Sequence, residues 1–394
     1  MYKTQVLFFS FLLLSFNTKA QTINIEGRIV DSSTLLGIPF ANIGLPELGI
    51  GTSANENGAF IIKLAETRLK DTLVVSSMGY KTLKIPVPQA LNKKMLILKL
   101  KSATLDLREI VITSLDGKAI IKKVLEKRTQ NYATDPVLME GFYREMAKQK
   151  DTTLYFNYSE GILEMYKSSV KKNSDEVRLI KGRKKKRILH ILRDTTRYTM
   201  PNITNGPHLG ITLDIIKTED GFLENYKHYN FHHEGYEIIN DQLAFVIHFK
   251  PLDNEDGEIF TGKVYVDTAS FAIVKAVYYY SPFGINTYNV GSGYLDLINR
   301  KFELDYTQFE GKWYIHKCMV TNEFYHKYAL SPIFNTMLLN ITKITKEKVK
   351  RFKSSEIISY QSALNEHIMT NDDDSFWEDY NFIKSSEIKP TKKE

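Results

Sequence analysis

Two hydrophobic patterns run through the chain. From residue 22 to about 100, apolar positions alternate with polar ones in short bursts separated by turn chemistry. Thr22 to Asp31, Ile38 to Ile43, Phe60 to Ile62, Thr72 to Ser76, Lys81 to Val87 and Leu96 to Leu100 are the bursts. Asp31-Ser32-Ser33, Gly49, Gly51 and Asn55-Glu56-Asn57-Gly58 punctuate them. Period-two alternation at regular spacing predicts a β-sandwich. A helical period follows at Ala119, Ile120, Lys123, Val124 and Lys127, with caps at Ser114 to Gly117 and Pro136 beyond. Then alternation resumes in longer runs: Gly141 to Glu145, Leu154 to Tyr166, Tyr236 to Ile239, Leu243 to Lys250, Gly262 to Asp267 and Ile273 to Tyr280. Lys301 to Phe309 and Lys312 to Phe324 form a hairpin about Glu310-Gly311, and short helices are expected at Leu209 to Lys217 and Gly221 to Tyr229. The expected fold is mainly β: an N-terminal seven-stranded sandwich, a linker helix, then a large curved antiparallel sheet with a few helices.

The first twenty residues change where such a fold would work. Lys3, the apolar run Val6 to Phe16 and Thr18-Lys19-Ala20 have the three parts of a cleaved export signal, with Gln21 as the new N-terminus. The apolar run is shorter than the ~20 residues a membrane-spanning helix needs. The expected division is signal 1–20, sandwich 21–112, linker helix 113–135, β-rich domain 136–384 and a flexible tail 385–394. The net charge of +7 falls by two, to +5, once Lys3 and Lys19 leave with the signal. An exported protein of that charge points away from nucleic acid and toward the envelope, periplasmic or at the outer-membrane periphery.

The first module carries a resemblance. Ile25-x-Gly27-x-Ile29-x-Asp31, Gly37-Ile38-Pro39-Phe40-Ala41-Asn42-Ile43, Gly51-Thr52-x-Ala54-Asn55-x-Asn57-Gly58-x-Phe60 and Leu73-x-Val75-Ser76-x-x-Gly79-Tyr80 resemble the carboxypeptidase regulatory-like domain. That is a transthyretin-like (prealbumin-like) sandwich found at the N-terminus of exported Bacteroidetes proteins. The resemblance implies a non-catalytic accessory module. Asn55 and Asn57 stand where the family usually has an acidic residue, which argues against calcium there. Val264-Tyr265-Val266-Asp267 with Phe271 to Val274 looks like the curved sheets of lipoprotein-carrier proteins, and the helix followed by Gly141-Phe142-Tyr143-Arg144-Glu145 is similar to uncharacterised β-rich Bacteroidetes envelope proteins.

Candidate chemistry is sparse. Lys181, Arg183, Lys184, Lys185, Lys186 and Arg187 form the densest charge cluster, a candidate contact for anionic lipid or glycan. His228, His232 and His233 lie close together beside Glu234, but Asn230 and Gly235 favour a loop or strand over a helix that would align them on a metal. Asn371 to Ser375 lacks the glycine and distal glutamate of a calcium loop, and Phe376-Trp377 after it forms an aromatic patch able to dock the tail. Gly291-Ser292-Gly293 lacks the flanks of a nucleophile elbow. The single cysteine, Cys318, sits in an alternating run and reads as a buried strand residue. The expectation is a protein with no catalytic, metal or cofactor residues: an envelope-associated binding or scaffold protein with a protein partner or apolar ligand and no nucleic acid. Two alternatives stand beside it, a carrier of lipid or apolar ligand on the curved sheet, and a hydrolase whose site is assembled from distant residues.

Overall fold

The computed structural model describes residues 22–91, 95–103, 115–149, 155–184, 206–217, 221–253, 257, 259–290, 295–327, 331–360, 362–368, 377 and 380–385. The expected export signal of residues 1–20, Lys185 to Arg187, Gly291-Ser292-Gly293 and Asn371 to Phe376 lie outside the described residues.

The chain is mainly β and builds two units. In the first, seven strands form two facing sheets. Strand β1 (Thr22–Asp31) lies between β4 (Ala59–Ala65), antiparallel, and β7 (Leu96–Leu100), parallel. The second sheet runs β3 (Ile50–Ser53), β2 (Asn42–Leu45), β5 (Thr72–Ser76), β6 (Leu83–Pro86). Alternation decides the packing: Ile25, Ile29, Phe60, Ile62, Ile43, Leu73, Val75 and Leu98 all point between the sheets, closed at one side by α1 (Val87–Leu91). Asn55, almost wholly buried, accepts from the backbone N–H groups of Asn57 and Ala59 at 3.0 and 2.9 Å. Its side chain is spent on shaping the turn. Gly58 follows at φ +77°, and a Cβ there would lie 2.3 Å from the Ile29 carbonyl oxygen.

One expected strand is displaced. Ile38 to Phe40 was expected to run into Ile43, but β2 begins at Asn42 and Phe40 sits at φ +51°. Pro39 has no N–H for a ladder, and the turn swings the Phe40 ring out of the sandwich onto the second unit, 5.5 Å from Lys317 Nζ.

The second unit begins with α2 (Gly117–Glu126), capped by Asp116 Oδ1 accepting from Ala119 N–H at 2.7 Å, and α3 (Arg128–Asn131). Ten antiparallel strands follow among the described residues. They are β8 (Val137–Gln149), β9 (Tyr155–Lys167), β10 (Glu176–Lys184), β11 (Tyr229–Ile239), β12 (Gln242–Pro251), β13 (Phe260–Asp267), β14 (Ile273–Tyr280), β15 (Leu295–Phe309), β16 (Lys312–His326) and β17 (Ser331–Thr345). Their spatial order is β11-β12-β13-β14-β15-β16-β17-β8-β9-β10, so the chain enters mid-sheet, walks out to β10, crosses to the far edge and meanders back until β17 closes on β8. The sheet curls into a half-barrel.

The crossover contains α4 (Leu209–Thr212) and the turns up to His228. It carries Leu209, Ile215, Ile216, Phe222 and Leu223 onto the concave face, where they join Ile120, Ile121 and Val124 of α2 in the main core. Much of the concave face is therefore packed side chain. Helix α5 (Pro282–Asn289) caps β14 and β15, and α6 (Leu364–His367) lies against β9 and β10.

Ion pairs fasten the crossover. Lys167 lies 3.0 Å from Asp175 and 2.9 Å from Asp214, Lys217 lies 2.6 Å from Asp175, and the Tyr306 hydroxyl donates to Asp214 at 2.9 Å. Burial pushes the Asp175 carboxyl up, but Lys167 and Lys217 outweigh it and hold it down at about 2, against 3.8 in the free side chain. A depressed carboxylate gives stability that is complete above the unfolded value and lost as pH falls through the folded one. Between pH 4.5 and 2 this group should surrender about 2 kcal/mol. Urea midpoints over that range should fall more steeply for the natural protein than for Asp175→Asn; parallel curves would contradict it.

Candidate binding cleft between the two β units

The two units meet along the outer face of the β3-β2-β5-β6 sheet and the turn ends of the half-barrel. Two tight hairpin turns point at the sandwich: Asn240-Asp241, at φ +52° and +60°, and Glu310-Gly311, at +46° and +72°. Two successive positive φ values match the twist of the flanking strands, so both hairpins arrive as rigid tips. Thr82 N–H donates to Asp241 Oδ1 at 2.9 Å and Gly79 N–H to the Ile238 carbonyl at 3.1 Å. On the other side Ile344 N–H donates to the Gly49 carbonyl at 2.9 Å, and β17 touches β3 at the single pair Lys343–Ile50.

Between these attachments lies a cleft of about 560 Å³, a size ordinary for small-ligand sites. Its sandwich wall is made of short side chains, Gly44, Gly51, Val74 and Ser76 among them. Its opposite wall offers Phe309 and Trp313 beside Gln308 and Gln242. Asn42 and Asn240 bring the side-chain amides to four, each both donor and acceptor. Glu47, Asp241 and Glu310 outnumber Lys84, the sole basic residue lining the cleft among the described residues.

His316 is the bulge residue of β16, between the pairs Asp305–Lys317 and Tyr306–Ile315. Desolvation, helped by Lys317 and opposed by Asp305, draws its imidazole down to about 4. The ring is neutral at physiological pH. Its Nε2 lies 3.2 Å from Asn42 Oδ1, so with Nε2–H donating, Nδ1 is an acceptor.

The last described residues lock the arrangement from the convex side. Asn381 reads the Lys63 backbone both ways, accepting from its N–H at 2.7 Å and donating to its carbonyl at 3.2 Å. Thr52 donates to the Phe382 carbonyl at 3.3 Å, and buried Arg144 to the Ile383 carbonyl at 2.6 Å. Trp377 stacks on Phe382 and meets Phe142 of β8 edge-on at 5.8 Å. The strap joins the sandwich to the half-barrel.

The sequence candidates lie elsewhere. Lys181, Arg183 and Lys184 are on β10. Arg183 turns inward, donating to Glu160 Oε2 at 2.8 Å with Trp377 5.0 Å from its guanidinium, and Lys184 donates to the Asn365 carbonyl at 3.1 Å. His232 and His233 follow one another on β11. His232 faces His248 across the ladder, whereas His233 bonds Gly235 at 2.9 Å. Among the described residues no group of three or more His, Cys, Asp or Glu could hold a metal ion. Cys318 is buried in the main core, where burial pushes its thiol far up. No cleft residue was singled out as a site by sequence; those within the quoted motifs, such as Asn42 and Gly51, mark the sandwich fold and not a ligand.

No curated protein matches the chain. Solved structures with a similar course include a LolA superfamily protein from Nitrosomonas europaea (10% identity, 62% of this chain and 99% of that one, TM-score 0.29). Another is a DUF1329 family protein from Desulfovibrio piger (10% identity, 61% and 98%, TM-score 0.30). A third is lipovitellin, from a study of its lipid–protein interactions (7% identity, 56% and 26%, TM-score 0.27). At such scores the half-barrel must be argued from its own residues. The sandwich is different: residues 25–112 match the family model of the CarboxypepD_reg-like domain.

Proposed function

We propose that the protein is an exported, non-catalytic binding protein that holds a polyhydroxylated, uncharged ligand of the saccharide class in the cleft between its two β units. The observation that carries this is the composition of the cleft's walls. Side-chain amides and carboxylates pair with the alternating donors and acceptors of sugar hydroxyls. Phe309 and Trp313, both largely buried in the main core, bring apolar surface to the lining, and a floor of Gly44, Gly51 and Ser76 lets a flat ring approach the backbone. The carboxylate excess disfavours an anion. A non-catalytic reading is supported by how the strongly perturbed groups are partnered: Asp175 and Asp305 are committed to ion pairs away from the cleft lining, and His316, which does line it, meets the Asn42 amide.

Trp313 provides the test. The chain has two tryptophans, so Trp377→Phe, which keeps an aromatic ring against Phe142, leaves Trp313 as the single reporter. Chitotetraose or maltotetraose should shift its emission saturably, with no cleavage products on prolonged incubation. A silent Trp313 with both sugars, or a response to tetra-alanine instead, would sink the saccharide assignment; release of shorter sugars would overturn the non-catalytic one.

A further inference from the structure

A second feature lies at the other end of the half-barrel, on the concave face. Counting across the sheet at one level, Arg300 of β15 stands opposite Asn322 of β16, Asn322 opposite Asn335 of β17, Asn335 opposite Ala147 of β8, and Ala147 opposite Asn157 of β9. Side chains in register on neighbouring strands share a face, so these form a polar row. It is hydrogen-bonded: Arg300 Nε donates to Asn322 Oδ1 at 2.6 Å, and Asn322 Nδ2 to Asn335 Oδ1 at 2.9 Å. Asn322 and Asn335 are buried. Apolar residues lie on both sides of the row, with Leu304, Cys318 and Leu339 toward the main core and Leu297, Phe324 and Ile333 toward the strand ends.

Arg300 is the anomaly in this row. The other partly or wholly buried arginines among the described residues have carboxylate partners: Arg68 with Asp71, Arg128 with Glu224, Arg144 and Arg183 with Glu160, and Arg178 with Glu164. Arg300 has none. Its Nη1 donates to the Tyr280 hydroxyl at 3.1 Å, and its guanidinium lies 5.0 Å from the Tyr280 ring and 4.7 Å from the Tyr288 ring. Two rings hold the plane of the cation, and Asn322 fixes its Nε edge. The Nη2 N–H groups have no acceptor among the described residues. The carboxylate of Glu145 lies in the next row down on β8, three strands away and so roughly 14 Å off, and takes its bond from Tyr143 at 3.1 Å. A half-buried charge normally finds a counter-charge. Here the geometry is preset for one that the described residues do not supply.

We infer that Arg300, clasped by Tyr280 and Tyr288, is an oxyanion site that receives a carboxylate or phosphate group from a ligand entering the strand-end mouth of the half-barrel. The guanidinium fork matches two oxygens of either group. The same end of the sheet exposes Phe283, Val290 and Ile298 at 41%, 84% and 51%, an apolar surface beside the charge. This site is separate from the cleft and would stand if the saccharide assignment fell.

The test is calorimetric titration of the full mature chain with sodium phosphate, sodium laurate and 1-dodecanol. At least one of the two oxyanion probes should bind, and Arg300→Gln should weaken it tenfold or more while leaving dodecanol unchanged. Phosphate binding as well as laurate assigns a water-soluble oxyanion; laurate alone assigns a lipid-borne one. Tyr288→Leu, which keeps the charge and removes one ring, should weaken the same probe severalfold, and carries the test if Arg300→Gln does not fold. Failure of both oxyanions to bind, or equal affinity in natural and variant proteins, overturns the inference.

Discussion

Asp305→Asn should be among the most damaging single-atom-scale changes the protein can suffer. Asp305 on β15 lies between Lys275 of β14, at 2.6 Å, and Lys317 of β16, at 2.5 Å. All three side chains are largely shielded from water. Burial alone would raise its carboxyl, but the two ammonium groups outweigh that and hold it far below the usual range. The Lys275 ammonium is held above its usual value by the same carboxylate. The amide has the same shape and no charge, so two desolvated cations would face each other across it. Breaking a buried pair from one side typically costs about 3–5 kcal/mol. For a unit of this size, at ~2–4 °C per kcal/mol, that lowers the melting temperature by roughly 10 °C. Replacing all three together, Asp305→Leu with Lys275→Met and Lys317→Met, should restore most of the loss, because an apolar replacement of the whole triad removes the orphaned charges. If Asp305→Asn melts within about a degree of the natural protein, the triad is wetter than its geometry implies.

Trp377→Ala should separate the two units. The indole is almost wholly buried, stacked on Phe382 and meeting Phe142 of β8, with the Arg183 guanidinium 5.0 Å from it. Truncating a buried tryptophan costs about 3–5 kcal/mol, here concentrated in a strap that is the mortar between sandwich and sheet. The bonds from Asn381 to Lys63 and from Arg144 to Ile383 depend on that strap staying seated. Calorimetry should then show two transitions where the natural protein shows one, with the sandwich melting separately. A single transition, little shifted, would mean that the hairpin tips at Asp241 and Glu310 suffice to couple the units.

Strand periodicity made much of this architecture legible. The hairpin about Glu310-Gly311 and the meander from Leu243 to Tyr280 follow from alternation and turn residues, as does the seven-stranded sandwich. Three elements escaped because a competing signal was stronger. Glu176–Lys184 looked like part of a charged loop, yet it is β10, and its charges are sheet partners: Arg183 to Glu160, Arg178 to Glu164. Ser331–Thr345 lies beyond the last strand read from the sequence, although it joins the meander to β8. Its asparagines at 335 and 340 break the apolar alternation because each answers a polar partner, Asn322 or Ser53. Phe40 broke the expected strand for the opposite reason, serving an interface between units that local pattern cannot show.

The cleft was invisible for a related cause. Its walls come from five separated stretches, around residues 42–52, 74–84, 240–242, 306–316 and 341–344. Each contributes ordinary residues, two to nine of them, and only the packing of one unit on the other makes them a site. Arg300 was equally silent: in the run Asn299-Arg300-Lys301-Phe302 nothing distinguishes it from a solvated strand residue until its lack of a carboxylate among the described residues is seen in three dimensions.

The most direct measurement is native mass spectrometry of the protein purified from its native source, beside a Val74→Trp variant. Val74 is a partly exposed lining residue on β5, and an indole there would fill much of the cleft without entering the sandwich core. A stoichiometric carbohydrate adduct is expected on the natural protein and missing from Val74→Trp, both proteins being equally folded. The same adduct on both, or a natural protein that carries none and takes up none when offered oligosaccharide, would contradict the claim that the cleft is the binding site.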